Sequence, residues 1–288
     1  MKLEQWTLFI DMLGYGNING NITNENEAKD FIKFMQSNVS IFIKQDNDGK
    51  KKIYENQEFD LYKYYDIQTA LVSDSLIINY LPKEVNEEIV EGKRILHSAN
   101  TFFIIINRLQ EYIYNCMSNK SILIRGGVSN KYCLVENNFA VGEGVIDAYI
   151  QESKFAVFPR IAISKNITNN KPLIKAFDFL CKAIYNETSF LEKCENDIYY
   201  IDYLKHNISL TKKNPFSLLT INKFIEVHKN TISKNLEKIQ EQINSLQEVD
   251  NDFELKKGKL KRSEKKILWL KNYHNQKMHE FNKDYIIE

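Results

Sequence analysis

Two acids sit where a sequence rarely puts a carboxylate without a reason. Asp11 ends the apolar run Leu8-Phe9-Ile10 and is followed by Gly14, Tyr15 and Gly16. Asp74 interrupts a second apolar run, between Ala70-Leu71-Val72 and Leu76-Ile77-Ile78. Burying a carboxylate without a partner costs on the order of several kcal/mol, so each acid calls for a cation. An apolar strand that delivers a carboxylate and then turns on glycine suits a divalent metal. If the two strands lie side by side, the acids share a metal site. Two Mg²⁺ or Mn²⁺ ions about 4 Å apart can hold an attacking oxygen and a triphosphate together. The chemistry would be phosphoryl transfer, with one ion activating a ribose hydroxyl and the other neutralising the departing pyrophosphate. Taken singly, either acid reads as a strand-end residue satisfying turn donors. The pair carries the argument.

The elements that must position these acids follow from periodicity. Residues 7–12 read as strand, and 17–26 as a polar loop. Residues 25–44 read as helix, because Ala28, Phe31, Ile32, Met35, Val39 and Phe42 recur three and four apart. The polar stretch 45–57 reads as a surface excursion with a hairpin near Asp48-Gly49. Residues 65–72 and 75–80 form two strands with Ser73-Asp74 at their turn, closed by Pro82. A long helix is expected over 84–115. Strands are expected at 121–126 and on either side of Asn137-Asn138, then a helix over 145–154 and a strand over 160–163. The order β-α-ββ-α-ββ-α-β points to an α+β fold with an antiparallel-rich sheet covered by helices. Residues 165–171 read as loop, 174–187 as helix and 197–204 as strand.

From 215 onward the pattern is helical. Ile232, Leu236, Ile239, Ile243 and Leu246 make a short seam, and a second helix is expected over 259–285. This helical hairpin reads equally as a brace on the core or as a dimerisation arm. The division expected is a core over 1–165, an α/β extension over 166–214 and the hairpin over 215–288.

Composition bounds the rest. Lys plus Arg number 39 against 38 Asp plus Glu, a formal net charge of +1, which argues against a protein that coats nucleic acid. Cys116, Cys133, Cys181 and Cys194 form no C-x-x-C pair, so reduced, mostly buried thiols are expected rather than disulfides or structural zinc. No signal peptide and no membrane-length apolar run is read, which gives the expectation of a cytoplasmic protein without a membrane partner. His97, His206, His228, His274 and His279 lack metal-site spacing and read as packing or surface residues. No G-K-[ST] follows Gly126-Gly127, so this is not a P-loop.

Phe9-Ile10-Asp11-Met12-Leu13-Gly14-Tyr15 resembles the first metal-binding strand of class III nucleotidyl cyclases, typically F-x-D-I-x-G-F. Ser73-Asp74-Ser75 is similar to that family's second metal-binding turn, and Ile124-Arg125-Gly126-Gly127-Val128-Ser129 to its R-x-G-I-x-x-G strand. Residues 142–152 fall where the family has a glycine, then a helix with Asn and Arg, then Glu. The resemblance covers roughly residues 5–165. It implies a ferredoxin-like palm core and a homodimer with its site between two subunits. It also implies attack of a ribose 3′-oxygen on the α-phosphate of a nucleoside triphosphate. Asp11 and Asp74 would be the metal ligands. Gly14, Tyr15, Gly126 and Gly127 are the candidate nucleotide contacts.

The departures are specific. With Glu152 as the family glutamate, Ile146 and Ile150 occupy the positions of the phosphate-binding Asn and the transition-state Arg. Ala70-Leu71-Val72 stands where adenylyl cyclases carry an adenine-reading Lys. Arg125 and Arg160 are the candidate replacements for the missing Arg, since guanidinium suits bidentate phosphate contact; the bland reading of each is a structural ion pair. Gly126-Gly127 reads equally as a close ligand approach or a β-bulge. Pyrimidine cyclases of bacterial anti-phage signalling, a divergent branch of the family, supply an analogy for a small chain without sensor domains. The alternative class is a cyclase-fold module that binds a nucleotide or protein without turnover.

Overall fold

The computed structural model describes residues 3–43, 59–84, 89–194, 197–213, 217–246 and 252–288. Strand β1 (Trp6–Leu13) leads through helices α1 (Tyr15–Gly20) and α2 (Glu25–Ile43) and the short α3 (Leu61–Tyr64) to the hairpin β2 (Tyr65–Val72) and β3 (Ser75–Pro82). Helix α4 (Glu91–Lys120) crosses back to β4 (Leu123–Ser129). A small hairpin, β5 (Leu134–Glu136) and β6 (Phe139–Val141), precedes α5 (Glu143–Ile150), which runs on as a π-helical turn over Gln151–Phe155. Then come β7 (Ile161–Ile163), α6 (Lys165–Asn169), α7 (Lys171–Tyr185), β8 (Leu191–Lys193), β9 (Tyr199–Ile201) and α8 (Tyr203–Lys213). Helices α9 (Leu218–Asn244) and α10 (Phe253–Phe281) follow.

The main sheet has the order β2-β3-β1-β4-β7-β9-β8. All its pairings are antiparallel except β4 with β7. The fold is therefore mixed α+β with a mostly antiparallel sheet and C-terminal helices.

Alternation in β1 gives the sheet two different faces. Trp6, Leu8, Ile10 and Met12 are fully or almost fully buried on one face. Thr7, Phe9, Asp11 and Leu13 point to the other. The first face lies under α4, whose residues 97–106 are buried without a break. Trp6 stacks on Phe102 at 4.6 Å between ring centroids. A helix that is buried all round needs neighbours all round. Here α2, α7 and α9 supply them beside the sheet.

The helical hairpin is a brace. Ile232, Leu236 and Ile239 turn their seam into the core. Phe224 stacks on Tyr114 at 5.9 Å. Tyr273 donates its hydroxyl to Asp202 at 2.7 Å and accepts from the Leu204 amide at 3.1 Å. Ile232, Leu236 and Ile239 of the seam are thus used inside the chain.

Several local expectations are corrected. The loop expected over 17–26 contains α1, because Gly14 takes a left-handed conformation (φ 85°) and its carbonyl accepts from the Ile18 amide. The loop expected over 165–171 contains α6, capped by the Ser164 side chain on the Asn166 amide. The strand expected over 197–204 is only Tyr199–Ile201, because the chain turns into α8 at Tyr203. The second hairpin helix begins at Phe253 rather than 259. The hairpin expected at Asp48-Gly49 lies outside the described residues. Among those residues all four cysteines are free, three buried and Cys194 half-buried. No helix among them is long and apolar enough to cross a membrane.

Four of the five histidines are buried packing residues. His274 Nε2 lies 2.9 Å from the Tyr285 carbonyl, which only accepts, so that nitrogen carries a proton. In the neutral ring Nδ1 is then an acceptor, and it takes the proton of His228 Nδ1 across 2.9 Å. His228 Nε2 in turn accepts from the Tyr203 hydroxyl at 2.7 Å. His206 stands among the rings of Phe103, Tyr185 and Phe190. Burial holds His228 and His274 below the ordinary value and pushes His206 down from 6.5 to about 3.

A depressed histidine pKa contributes stability that is complete above the unfolded value. That contribution falls as pH drops from about 6.5 toward the folded value, because the unfolded chain binds protons that the buried rings do not. The urea midpoint is therefore expected to fall steeply between about pH 6.5 and 4.5. A flat midpoint over that window would contradict neutral burial of these rings.

Candidate functional site

The two acids meet through strand pairing. β1 lies between β3 and β4, and Asp11 stands opposite Ser75 on one side and Arg125 on the other. Val72 pairs with Ser75, so Ser73 and Asp74 are the two residues of the β2–β3 turn, with Ser73 at φ 58°. The Met12 amide donates to the Asp74 carbonyl at 3.2 Å, which ties that turn to the end of β1. Asp11 and Asp74 thus converge at one end of the sheet, on or beside the face opposite α4.

Directly opposed residues of an antiparallel pair share a face. Asp11, Phe9 and Thr7 therefore share theirs with Arg125, Gly127 and Ser129. Helix α5 and its π-helical turn lie on this part of the face. They can do so because residue 127 has no side chain. A Cβ there would stand 2.1 Å from the Ala148 carbonyl oxygen, 2.5 Å from Gln151 Cβ and 2.7 Å from the Glu152 amide nitrogen. At Gly126 a Cβ would meet the Phe9 carbonyl at 2.7 Å. Both glycines pair in unbroken register with β1 and with β7. The bulge reading of Gly126-Gly127 is replaced by unbroken pairing, in which these residues let one backbone rest on another.

That approach brings in a third carboxylate. Arg125 Nε lies 2.9 Å from Asp11 Oδ2 and 2.5 Å from Glu152 Oε1. The Asp11 contact is a directed hydrogen bond. The Glu152 contact lies off the donor direction: Oε1 is buried and has no hydrogen bond. It is an ion pair by proximity. Burial pushes the Glu152 carboxyl up to about 7, against the pull of Arg125, and Asp11 and Asp74 push the same way. Burial also raises Asp11. Arg125 pulls it back, and the charge and shared hydrogen bond of Asp74 raise it again. The carboxylates are close enough to resist one another's ionisation, which is the condition a cation relieves.

Among the described residues no three His, Cys, Asp or Glu side chains cage a metal by themselves. Mg²⁺ needs no such cage, since it is often held by one or two carboxylates with substrate phosphates completing the shell. Asp11 and Asp74 fit that donor set.

The other candidates sort themselves by contact. Arg160 is buried, with its guanidinium 5.5 Å from the ring centroids of Phe158, Tyr200 and Trp269. It donates to the Phe155 carbonyl at 2.7 Å and contacts Cys194 Sγ at 3.2 Å. It therefore ties α10 to β9 and the π-helical turn, and its contacts include none of the three acids. This cation–π cage differs from both the phosphate contact and the ion pair read from sequence. Gly14 sits in the turn after Asp11, whereas Tyr15 packs on Phe31 at 5.9 Å. Ile146 is 59% exposed on α5.

Sequence reasoning passed over Lys266, on α10. This ammonium is held below its ordinary range by burial and by Arg125, and it senses Asp11 and Glu152. Its only sequence signal is its place in a lysine-rich helix. No protein-family model matches the chain, and comparison with curated proteins finds no match to it.

Proposed function

We propose that the chain is a metal-dependent nucleotide cyclase-like enzyme that converts a nucleoside triphosphate to a cyclic nucleotide and pyrophosphate. The observation that carries this reading is the register that sets Asp11 beside the Ser73-Asp74 turn, at one end of an otherwise helix-covered sheet. The β-α-β-β-α-β order with β2-β3-β1-β4 adjacency supports a ferredoxin-like palm. A homodimer belongs to the same reading. Exposed Phe139, Val141, Ile146 and Tyr149 give it an apolar surface near the site.

In this mechanism Asp11 and Asp74 would hold two Mg²⁺ or Mn²⁺ ions, which when bound would make the ribose 3′-hydroxyl more acidic and offset the charge of the triphosphate. The 3′-oxygen forms a bond to the α-phosphorus, the bond from that phosphorus to the bridging oxygen breaks, and pyrophosphate leaves. The hydroxyl proton passes to water. Arg125 commits Nε to Asp11 and Glu152 and so fixes the Asp11 carboxylate against β4. Its two terminal nitrogens make no hydrogen bond among the described residues, and in this reading they meet the phosphate whose charge rises during the displacement. Glu152 orients Arg125. Arg160 acts as a brace.

The test is direct. Purified protein, its solution mass measured in parallel, is given Mn²⁺ and the four nucleoside triphosphates. Pyrophosphate and a cyclic product are expected from a dimer. No product from any of the four, with folded protein, sinks the proposal. Thermal stabilisation by a nucleotide without turnover would favour the second reading, a binding module, which draws on Ile146 and Ile150 in place of polar phosphate ligands.

A further inference from the structure

Helices α9 and α10 lean over the end of β1 and enclose a cleft of about 330 Å³. Leu13 and Gly14, just past Asp11, line its inner end. Lys120 at the end of α4, Lys234 and Lys238 on α9 and Lys266 on α10 line its sides. No aspartate or glutamate lines it. None of these four lysines makes an ion pair among the described residues. Their neighbours on α10 do: Lys261 pairs with Glu264 at 2.9 Å, and Lys277 with Asp202 at 2.6 Å.

Solvated lysines on a convex helix need no explanation. Four in a concave site that no acid lines, in a chain of net charge +1, do. Like charges gathered around one cleft repel each other, and an anion removes that penalty. Lys266 joins the cleft to the acid cluster, because it lines the first and interacts with Asp11 and Glu152 of the second.

We propose that this cleft seats a polyphosphate, with the hairpin lysines holding the β- and γ-phosphates of the substrate while its α-phosphate stays at Asp11 and Asp74. The second half of that statement rests on the cyclase reading. The polyanion site stands on the lysines alone. In this arrangement the hairpin supplies the positive charge that Ile146 and Ile150 do not. After the displacement the same lysines would hold pyrophosphate, which makes it a product inhibitor. The cleft lining carries no aromatic ring on which a base could stack, which favours bare phosphate over single-stranded nucleic acid.

The experiment uses inorganic tripolyphosphate as the probe, without divalent metal, on the full chain. Binding is measured by calorimetry for the wild type, for the double variant Lys234→Ala/Lys238→Ala and for Lys175→Ala, a lysine outside the cleft. Both cleft positions are exposed, and circular dichroism checks their folding. Wild type and Lys175→Ala are expected to bind alike, and the double variant at least about tenfold more weakly, the loss of charge-assisted contacts. No binding by the wild type, or equal binding by the double variant, overturns the proposal. So does an oligonucleotide that binds through these lysines and is not displaced by tripolyphosphate. If tripolyphosphate binds as expected but no nucleotide turns over, the polyanion site stands and the cyclase reading fails. If turnover occurs with the same KM in the double variant, the cyclase reading stands and the cleft assignment fails.

Discussion

Asp74→Ala is expected to reduce pyrophosphate release by more than about 100-fold while leaving the protein folded. Loss of a residue that only supports a metal ligand already costs up to about 100-fold, and Asp74 is assigned as a ligand. Its side chain sits at a two-residue turn and is only half-buried, so truncation removes no core contact. The turn itself is held by backbone, through Met12 and the Val72–Ser75 pair, and survives the change. Removing this carboxylate also lifts one of the charges that raise Asp11 and Glu152. The variant should therefore melt no lower than the wild type without metal and lose its stabilisation by Mn²⁺. Near-normal turnover by Asp74→Ala would remove the residue from the mechanism.

Gly127→Ala is expected to be the most damaging single-methyl change in the core. The new Cβ would stand 2.1 Å from a backbone carbonyl and 2.7 Å from a backbone nitrogen, and neither can step aside as a side chain does. Helix α5 must lift off β4 or the sheet must bend. Overpacking of this kind costs about 3 kcal/mol or more, which corresponds to a fall of about 10 °C in Tm for a chain of this size. The displaced segment carries Glu152, so the Arg125 contact opens as well. Turnover should fall even below the melting transition. Gly16→Ala is the control, because a Cβ there meets nothing within 4 Å. Equal Tm and equal turnover in the two variants would mean that the close approach at residue 127 has no consequence.

The acids were legible in the sequence because they violate it locally. A carboxylate between apolar runs is visible without a structure, and Ser73-Asp74 falls where two strands have to turn. The succession of strands and long helices near the site followed from their periodicity. What the sequence hides is of three kinds. Gly127 acts by what it lacks, and a missing side chain does not announce which backbone needs the room. Arg160 reads as a ligand because its cage is assembled from Phe158, Tyr200 and Trp269, three segments that meet only in the fold. Lys266 comes from a helix whose periodicity says only that it packs, so its arrival beside Asp11 is a tertiary fact. Short helices such as α6 escaped because a single cap, Ser164, decides them where composition reads as loop.

The position of β1 between β3 and β4 has a consequence for synthesis. Asp11 and its hydrogen-bonded neighbour Arg125 are 114 residues apart. Strand β1 is therefore made long before β4, the strand that closes its second edge. Until β4 emerges, β1 carries the apolar side chains of Trp6, Leu8, Ile10 and Met12 along an unpaired backbone edge, the kind of surface that templates wrong pairing. Long-range closure also makes such a sheet slow to form. The nascent chain thus carries Asp11 on an aggregation-prone segment, a surface that suits holdase chaperones.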